Sequence, residues 1–409
     1  MPESVVPQGS ENIFHNSVTE LYDYVKKNGY EGFDPYDGLN SQVTSSIAKK
    51  SKWLSMAIIQ AFKSSPIDFR GFFQVNKSIN LKSIGLFASA YLKLYNVTKE
   101  KKFLNDAEYC LDLLKNTSLK ERYAEYCWVA SSYNVQFPDD LGTPDVPSIV
   151  CTATCTLSFL QHYETTGSEE SLWIAKSAAN FIMKYLYLND KEKSIFRYTP
   201  TYNTNISIYN ASTFGARILS HIYRYTNNTE LLEISHKVMD YIVSKQKTNG
   251  AWYFSEMNGV ERKQIDFHQG FILDALDDFI INTRPDDGKY LEALLKGVDF
   301  YKNEQFLPDG RCKWRYPRRW PIDIHNQAQG IITFSRLRDR KPEYLDFART
   351  IADWTITHMQ DKSGYFYYQK WPIVTNKISY IRWGQAWMLF ALSTLLEGVS
   401  PELKKSGFN

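Results

Sequence analysis

Two short strings carry the residue types for proton chemistry, Asp266-Phe-His268 and Asp323-Ile-His325, and they stand 57 residues apart. Histidine titrates near neutral pH, and an adjacent carboxylate can fix its tautomer, so each pair has the parts of a general acid or base. One further step of the same length reaches Tyr380, with Arg382 two places on. Stepping back reaches Tyr209 and then Thr152. Tyrosine offers a hydroxyl partner for proton transfer, and arginine a forked contact to a carboxylate or phosphate. The candidate catalytic residues are therefore His268, His325, Asp266, Asp323, Tyr209 and Tyr380. Candidate substrate contacts are Arg382, Trp383, Gln385, Trp252, Asn210, Gln269, Gln327 and Trp320.

Each of these also has a purely structural reading. Asp266 and Asp323 fit helix N-caps. The histidines fit hydrogen-bonded structural groups, the tyrosines fit core-rim aromatics, and Arg382 fits a partner for a structural acid. Most rim tryptophans read as packing, with one or two left to stack on sugar rings. Two Asp-x-His pairs can bind a metal, but residues two apart on a helix do not share a face. No metal is expected. The basic run Arg315-Tyr-Pro-Arg-Arg-Trp-Pro321 reads as a solvated loop or as a contact to an acidic glycan.

These residues need elements to bring them together, and the repeat supplies them. Six segments read as long apolar helices, roughly 80–97, 148–166, 207–226, 266–283, 323–338 and 380–397. Each of the first five is followed by an amphipathic helix, about 101–116, 169–188, 229–246, 287–305 and 342–360. Apolar helices are buried all round, whereas amphipathic ones keep a wet face. Between successive pairs come aromatic strand signals: Ser194–Tyr198, Gly250–Phe254, Gly310–Tyr316 and Gly364–Tyr368. The fold expected is all-α, an (α/α)6 toroid with short β-hairpin excursions on one rim. A linear solenoid repeats at shorter periods, usually without such excursions. Residues 1–40 read as an N-terminal arm and 41–409 as a single toroid domain, with a helix at about 43–63 closing the ring. In a toroid the inner-helix starts share one rim, where free N–H groups and helix dipoles favour an anion.

Composition bounds the remaining classes. Aromatics at 15% are ample for a core, and a formal charge of +3 without a basic block argues against nucleic acid. Five cysteines, odd in number and without a C-x-x-C pair, fit a reduced compartment. No leader-like N-terminus and no apolar stretch of about 18 residues is present, so a cytoplasmic protein without a membrane span is expected. No phosphate loop, dinucleotide fingerprint or G-x-S-x-G elbow appears, so no cofactor is expected.

Three strings carry a family likeness. Gln246-Lys-Thr-Asn-Gly-Ala-Trp252 resembles the Q-x-x-D-G-x-W motif of squalene-cyclase and prenyltransferase-like toroids, with Asn249 in place of Asp. Ile381-Arg-Trp-Gly-Gln-Ala-Trp387 resembles the R-G-Q-A-W segment of unsaturated glucuronyl hydrolases, with Trp383 set between Arg382 and Gly384. Asn326-Gln-Ala-Gln-Gly330 is similar to a string in the helical domain of glucuronyl C5-epimerases. Over its length the chain resembles a bacterial and archaeal family found with capsular or exopolysaccharide genes. It shares that family's Asp34-Pro-Tyr-Asp-Gly38 loop, Trp252-Tyr-Phe254, Ile265-Asp-Phe-His268 and Arg382-Trp-Gly-Gln-Ala-Trp387. Some members carry the label delta-aminolevulinic acid dehydratase, a parallel β/α barrel that this helical period does not build.

The resemblance implies an enzyme of polysaccharide metabolism that acts on an acidic, uronate-containing oligosaccharide or polysaccharide precursor by epimerisation, elimination or hydrolysis. Two alternatives stand beside it. One is a non-catalytic glycan-binding or assembly protein, and the other an isoprenoid-handling toroid, against which Asp277-Asp278 offers no Asp-rich diphosphate motif. A monomer or weak dimer is expected.

Overall fold

The computed structural model describes residues 10–48, 51–129, 145–190 and 193–405. The chain opens with α1 (Ser10–Lys27), α2 (Gln42–Ala48) and α3 (Lys52–Ser64). It then alternates. α4 (Leu81–Thr98) is followed by α5 (Lys101–Asn116) and the one-turn α6 (Lys120–Tyr123), and α7 (Ile149–Thr166) by α8 (Glu169–Phe181). α9 (Tyr209–Thr226) and α10 (Thr229–Ser244), α11 (His268–Thr283) and α12 (Lys289–Phe300), and α13 (Ile324–Arg336) and α14 (Glu343–Met359) continue the pattern, and α15 (Trp387–Lys405) ends it. Side-chain caps start several inner helices: Asn80 accepts from Ser83 N, Ser148 from Cys151 N and Asp323 from His325 N.

Helices α4, α7, α9, α11, α13 and α15 each pack on the next, and α15 packs back on α4, which closes an inner ring. Their starts meet at one end. Phe214 touches Phe271, Phe267 touches His325, and Lys82 lies over Trp387. Their far ends meet at the other, where Lys93 pairs with Glu397 at 2.5 Å. The fold is the all-α (α/α)6 toroid that the period predicts.

The helix that closes the outer ring is not the one expected from sequence. α1, inside the supposed 1–40 arm, packs on α14 and α15, whereas α2 and α3 pack on each other and on the turn Asp37–Leu39. The evidence for its place is a repeated turn. Gly250, Gly310 and Gly364 all adopt positive φ (+93°, +87° and +95°), each against the backbone of the next outer helix. A Cβ on Gly250 would lie 2.3 Å from Lys296 O of α12, and one on Gly364 would lie 2.3 Å from Glu20 O of α1. In the same way Gln246 Nε2 donates to Gly250 O and Ala293 O, and Gln360 Nε2 donates to Gly364 O and Ser17 O. α1 therefore occupies the position in the sixth unit that α12 occupies in an earlier one. The string that begins at Gln246 builds this turn.

The strand excursions are shorter than their aromatic signals. β1 (Tyr187–Asn189) pairs with β2 (Ser194–Phe196). β3 (Ile206–Ile208), β4 (Ser255–Met257) and β5 (Val260–Arg262) form one antiparallel sheet; β6 (Ile322–Asp323), β7 (Gln369–Lys370) and β8 (Thr375–Asn376) form another. Over 310–316 and 364–368 only isolated bridges form, and over 250–254 none, because side chains from the inner helices take the backbone groups that a ladder would use. Gln269, Gln327 and Gln385 accept from Trp252 N, Cys312 N and Phe366 N, and donate back to Gly250 O, Gly310 O and Phe366 O. Thr152 and Ser212 do the same job for Trp128 N and Phe196 N. Thr152 thus lies inside α7, at the clamp position and not at the helix start, so the strict 57-residue register slips there.

Candidate active site at the inner-helix starts

The N-terminal ends of the inner helices hold two imidazoles in different states. Asp266 caps the entry to α11, accepting from His268 N at 3.2 Å, and also holds the His268 ring, with Oδ1 2.5 Å from Nδ1. Gln264 Nε2 donates to its other oxygen at 2.6 Å. Burial works to raise the Asp266 carboxyl, but the His268 ring and these donors outweigh it and hold the group below the usual carboxylate range. With Nδ1 held by the carboxylate, Nε2 has no hydrogen-bond partner among the described residues, and the side chain keeps 22% of its surface exposed. This is the geometry of an oriented general base.

One repeat on, Asp323 caps α13 through His325 N at 3.0 Å but does not reach the ring. Its oxygens are taken by Trp383 Nε1 at 2.9 Å and Gln369 Nε2 at 2.6 Å; burial nevertheless pushes the carboxyl up. His325 is 2% exposed, and neither of its ring nitrogens has a hydrogen-bond partner among the described residues. Burial, then the positive charges of Lys82 and Arg382, holds its imidazole well below the ordinary histidine range, so it is neutral at pH 7.

The rings form a column. Phe267 stacks on His268 at 4.1 Å and on His325 at 4.2 Å, and His325 stacks on Trp387 at 4.8 Å. Trp383 meets His325 edge-on at 4.6 Å. The two histidines therefore lie on opposite faces of Phe267. His268 borders a narrow cleft with Asn210, Tyr253, Phe254 and Gln264. Asn210 is buried and its side-chain oxygen has no hydrogen-bond partner among the described residues. A larger hollow, about 310 Å³, opens between residues 28–33 and 377–381 and contains neither histidine.

Other candidates sit differently. Tyr209 turns outward, donating to Glu256 at 3.2 Å, and burial and that carboxylate raise its hydroxyl above the usual tyrosine range. Tyr380 lies under Arg70, whose guanidinium carbon is 4.8 Å from the ring centroid; burial raises its hydroxyl, which has no hydrogen-bond partner among the described residues. Neither tyrosine makes a hydrogen bond or ring contact with His268 or His325. Arg382 is gripped by Asp34 of the Asp34–Gly38 loop, at 2.6 and 2.9 Å, so its fork is already occupied. The same loop sends Asp37 to a buried pairing with Arg70. Trp252 is core, donating to Ile242 O at 2.7 Å, and Trp320 is half-buried at the loop carrying Arg311. Gln269, Gln327 and Gln385 spend their amides on the clamps described above. Trp383, which separates Arg382 from Gly384, is absorbed by a π-helical turn (Ile381–Ala386) that sets both Arg382 and Trp383 at the rim. Among the described residues, no three His, Cys, Asp or Glu side chains converge to hold a metal ion.

Lys82 is the site residue that sequence reasoning missed. It stands in the first turn of α4, 8% exposed, with no hydrogen bond or ion pair among the described residues. Its Nζ lies 5.0 Å from the centroid of Trp387 and 5.7 Å from that of Phe271. Burial, with Arg382 nearby, lowers its ammonium to about 7. The available signal is the lone charge in Leu81-Lys-Ser-Ile-Gly-Leu-Phe87, an otherwise apolar helix start.

No family model and no curated protein matches the sequence. Among solved structures the chain is similar to a cellobiose 2-epimerase from Bacillus thermoamylovorans, with 16% identity over 79% of this chain and 90% of that one and a TM-score of 0.64. It is also similar to a GH76 α-mannanase from Bacteroides thetaiotaomicron, with 13% identity, coverages of 77% and 86%, and a TM-score of 0.62. An unsaturated glucuronyl hydrolase specific for heparin matches at 13% identity, with coverages of 97% and 98% and a TM-score of 0.60. At these identities the likeness is one of fold: the chain is an α/α toroid of the kind those proteins share.

Proposed function

We propose that the protein is a carbohydrate-active enzyme of polysaccharide metabolism that acts on an acidic, uronate-containing glycan or its precursor by proton transfer. The observation that carries the reading is the Asp266–His268 pair, an imidazole held at Nδ1 with Nε2 left unbonded at the edge of a cleft. In this scheme Nε2 takes the proton and Asp266 steadies the imidazolium that results. His325, neutral and unpartnered on the other face of Phe267, is the second proton-transfer group. The helix starts and the cations gathered there favour an anionic substrate. Epimerisation, elimination and hydrolysis are all served by such groups.

Three of the similar folds are named as an epimerase, a mannanase and a glucuronyl hydrolase, which supports a saccharide substrate. The isoprenoid alternative is disfavoured by the aspartates of α11. Asp278 is occupied by Arg217, His221 and Arg336, and Asp277 by Arg340, so neither is left for a diphosphate-bound metal. A scaffold without chemistry has no use for an imidazole buried with two unsatisfied nitrogens, an arrangement that costs stability.

The test is a binding and turnover screen of uronate-containing oligosaccharides, neutral oligosaccharides and isoprenyl diphosphates against the full chain. Acidic saccharides should bind and be converted. Binding of neutral sugars in preference to acidic ones, or of isoprenyl diphosphates alone, would overturn the reading.

A further inference from the structure

We infer that Lys82 is the anchor for the substrate's acidic group, and that binding this group draws a proton into the site. The inference rests on the acidic-glycan reading and adds to it the residue and the pH behaviour.

A lysine nine-tenths buried almost always has a carboxylate partner. Lys82 has none among the described residues. The polar and charged groups facing it from the elements packed around it are Arg382 and Asp34 from the rim, Cys151 and Cys155 from α7, and His325 from α13. Asp34 is bound to Arg382, both thiols are buried, and His325 has no partner of its own among the described residues. The faces of Trp387 and Phe271 complete the surroundings. An aromatic cage holding an amine, next to a second cation, is a place that an anion would complete.

The free amine titrates near 7 because burial opposes its charge. A carboxylate brought against Nζ reverses that balance and returns the group toward the ordinary lysine range. Above pH 7 binding must therefore be accompanied by proton uptake, which approaches one proton near pH 8. Affinity for an acidic saccharide then falls by about tenfold per pH unit above 7. Neutral saccharides should show neither effect.

The experiment is titration calorimetry at pH 6 and pH 8, in buffers of different ionisation enthalpy. It compares a panel of uronate oligosaccharides and their neutral counterparts on wild type, Lys82→Met and Lys82→Arg. Wild type should prefer the acidic member at least tenfold and take up close to one proton at pH 8 with it alone. Lys82→Met should lose both the preference and the uptake, and Lys82→Arg should keep the preference without the uptake. Acidic binding by Lys82→Met with wild-type affinity, or uptake that persists in it, would overturn the inference while leaving the function reading intact. Wild type that binds no acidic saccharide would remove both. Thermal unfolding of each variant, measured alongside, separates misfolding from lost binding.

Discussion

Asp266 holds the ring of His268 through a 2.5 Å contact at Nδ1. Asp323, in the corresponding place one unit on, holds only the main-chain N–H of His325 and gives its remaining capacity to Trp383 and Gln369. An Asp-x-His motif that occurs twice thus produces one imidazole oriented by its carboxylate and one that its carboxylate does not reach.

Asp266→Asn tests the orienting role. Asparagine still caps α11, so stability should fall by less than about 1 kcal/mol. It cannot steady an imidazolium, so turnover should fall by roughly 10²–10⁴-fold. Steady-state kinetics beside urea unfolding checks both, and unchanged turnover would remove Asp266 from the mechanism.

His325→Phe separates function from packing. Phenylalanine keeps the stack between Phe267 and Trp387 and removes two unsatisfied nitrogens, so stability should be neutral to about 2 kcal/mol higher. Activity should be lost. The pH dependence should change as well. The folded-state pKa of His325 lies well below its usual 6.5, so as pH falls below 6.5 the unfolded chain takes up a proton that the folded one does not. Wild-type stability therefore drops on the acid side by up to about 1.4 kcal/mol per pH unit from this group, and His325→Phe should lack that component. Parallel stability–pH curves for the two proteins would contradict the assignment.

Gly364→Ala tests the ring closure by α1. The residue has φ +95°, and its new Cβ would meet Glu20 O at 2.3 Å. The cost should exceed about 2 kcal/mol in chemical denaturation. Wild-type stability would show that α1 is not packed there.

Gln327→Ala addresses the clamps. It strands Cys312 N–H and Gly310 O, so it should cost about 1–3 kcal/mol while leaving saccharide affinity unchanged. Lost affinity at unchanged stability would return Gln327 to the substrate contacts.

The inner helices were legible because each couples a long apolar run to a polar start, and these positions hold to within a few residues. α1 was not, although Phe14, Val18, Leu21 and Val25 form a buried stripe at helical spacing. The polar average and the Gly/Pro/Asp loop of residues 1–40 masked it. Arg382 looked open to ligand because its partner, Asp34, is 348 residues away in the chain. The three glutamines looked like sugar contacts because the backbone groups they serve are set by the turn geometry of another segment. Lys82 drew no reading from the sequence, and only packing shows that no carboxylate among the described residues answers its charge.

The most direct test of the proton-transfer claim is turnover of uronate-containing oligosaccharides in D2O by wild type and His268→Gln, followed by mass spectrometry and NMR. Wild type should turn the saccharide over, and an epimerised product should carry solvent deuterium on the inverted carbon, where it does not exchange with water. His268→Gln, folded and still able to bind the saccharide, should give at least 10²-fold less. Wild-type turnover by the folded His268→Gln protein would contradict the account.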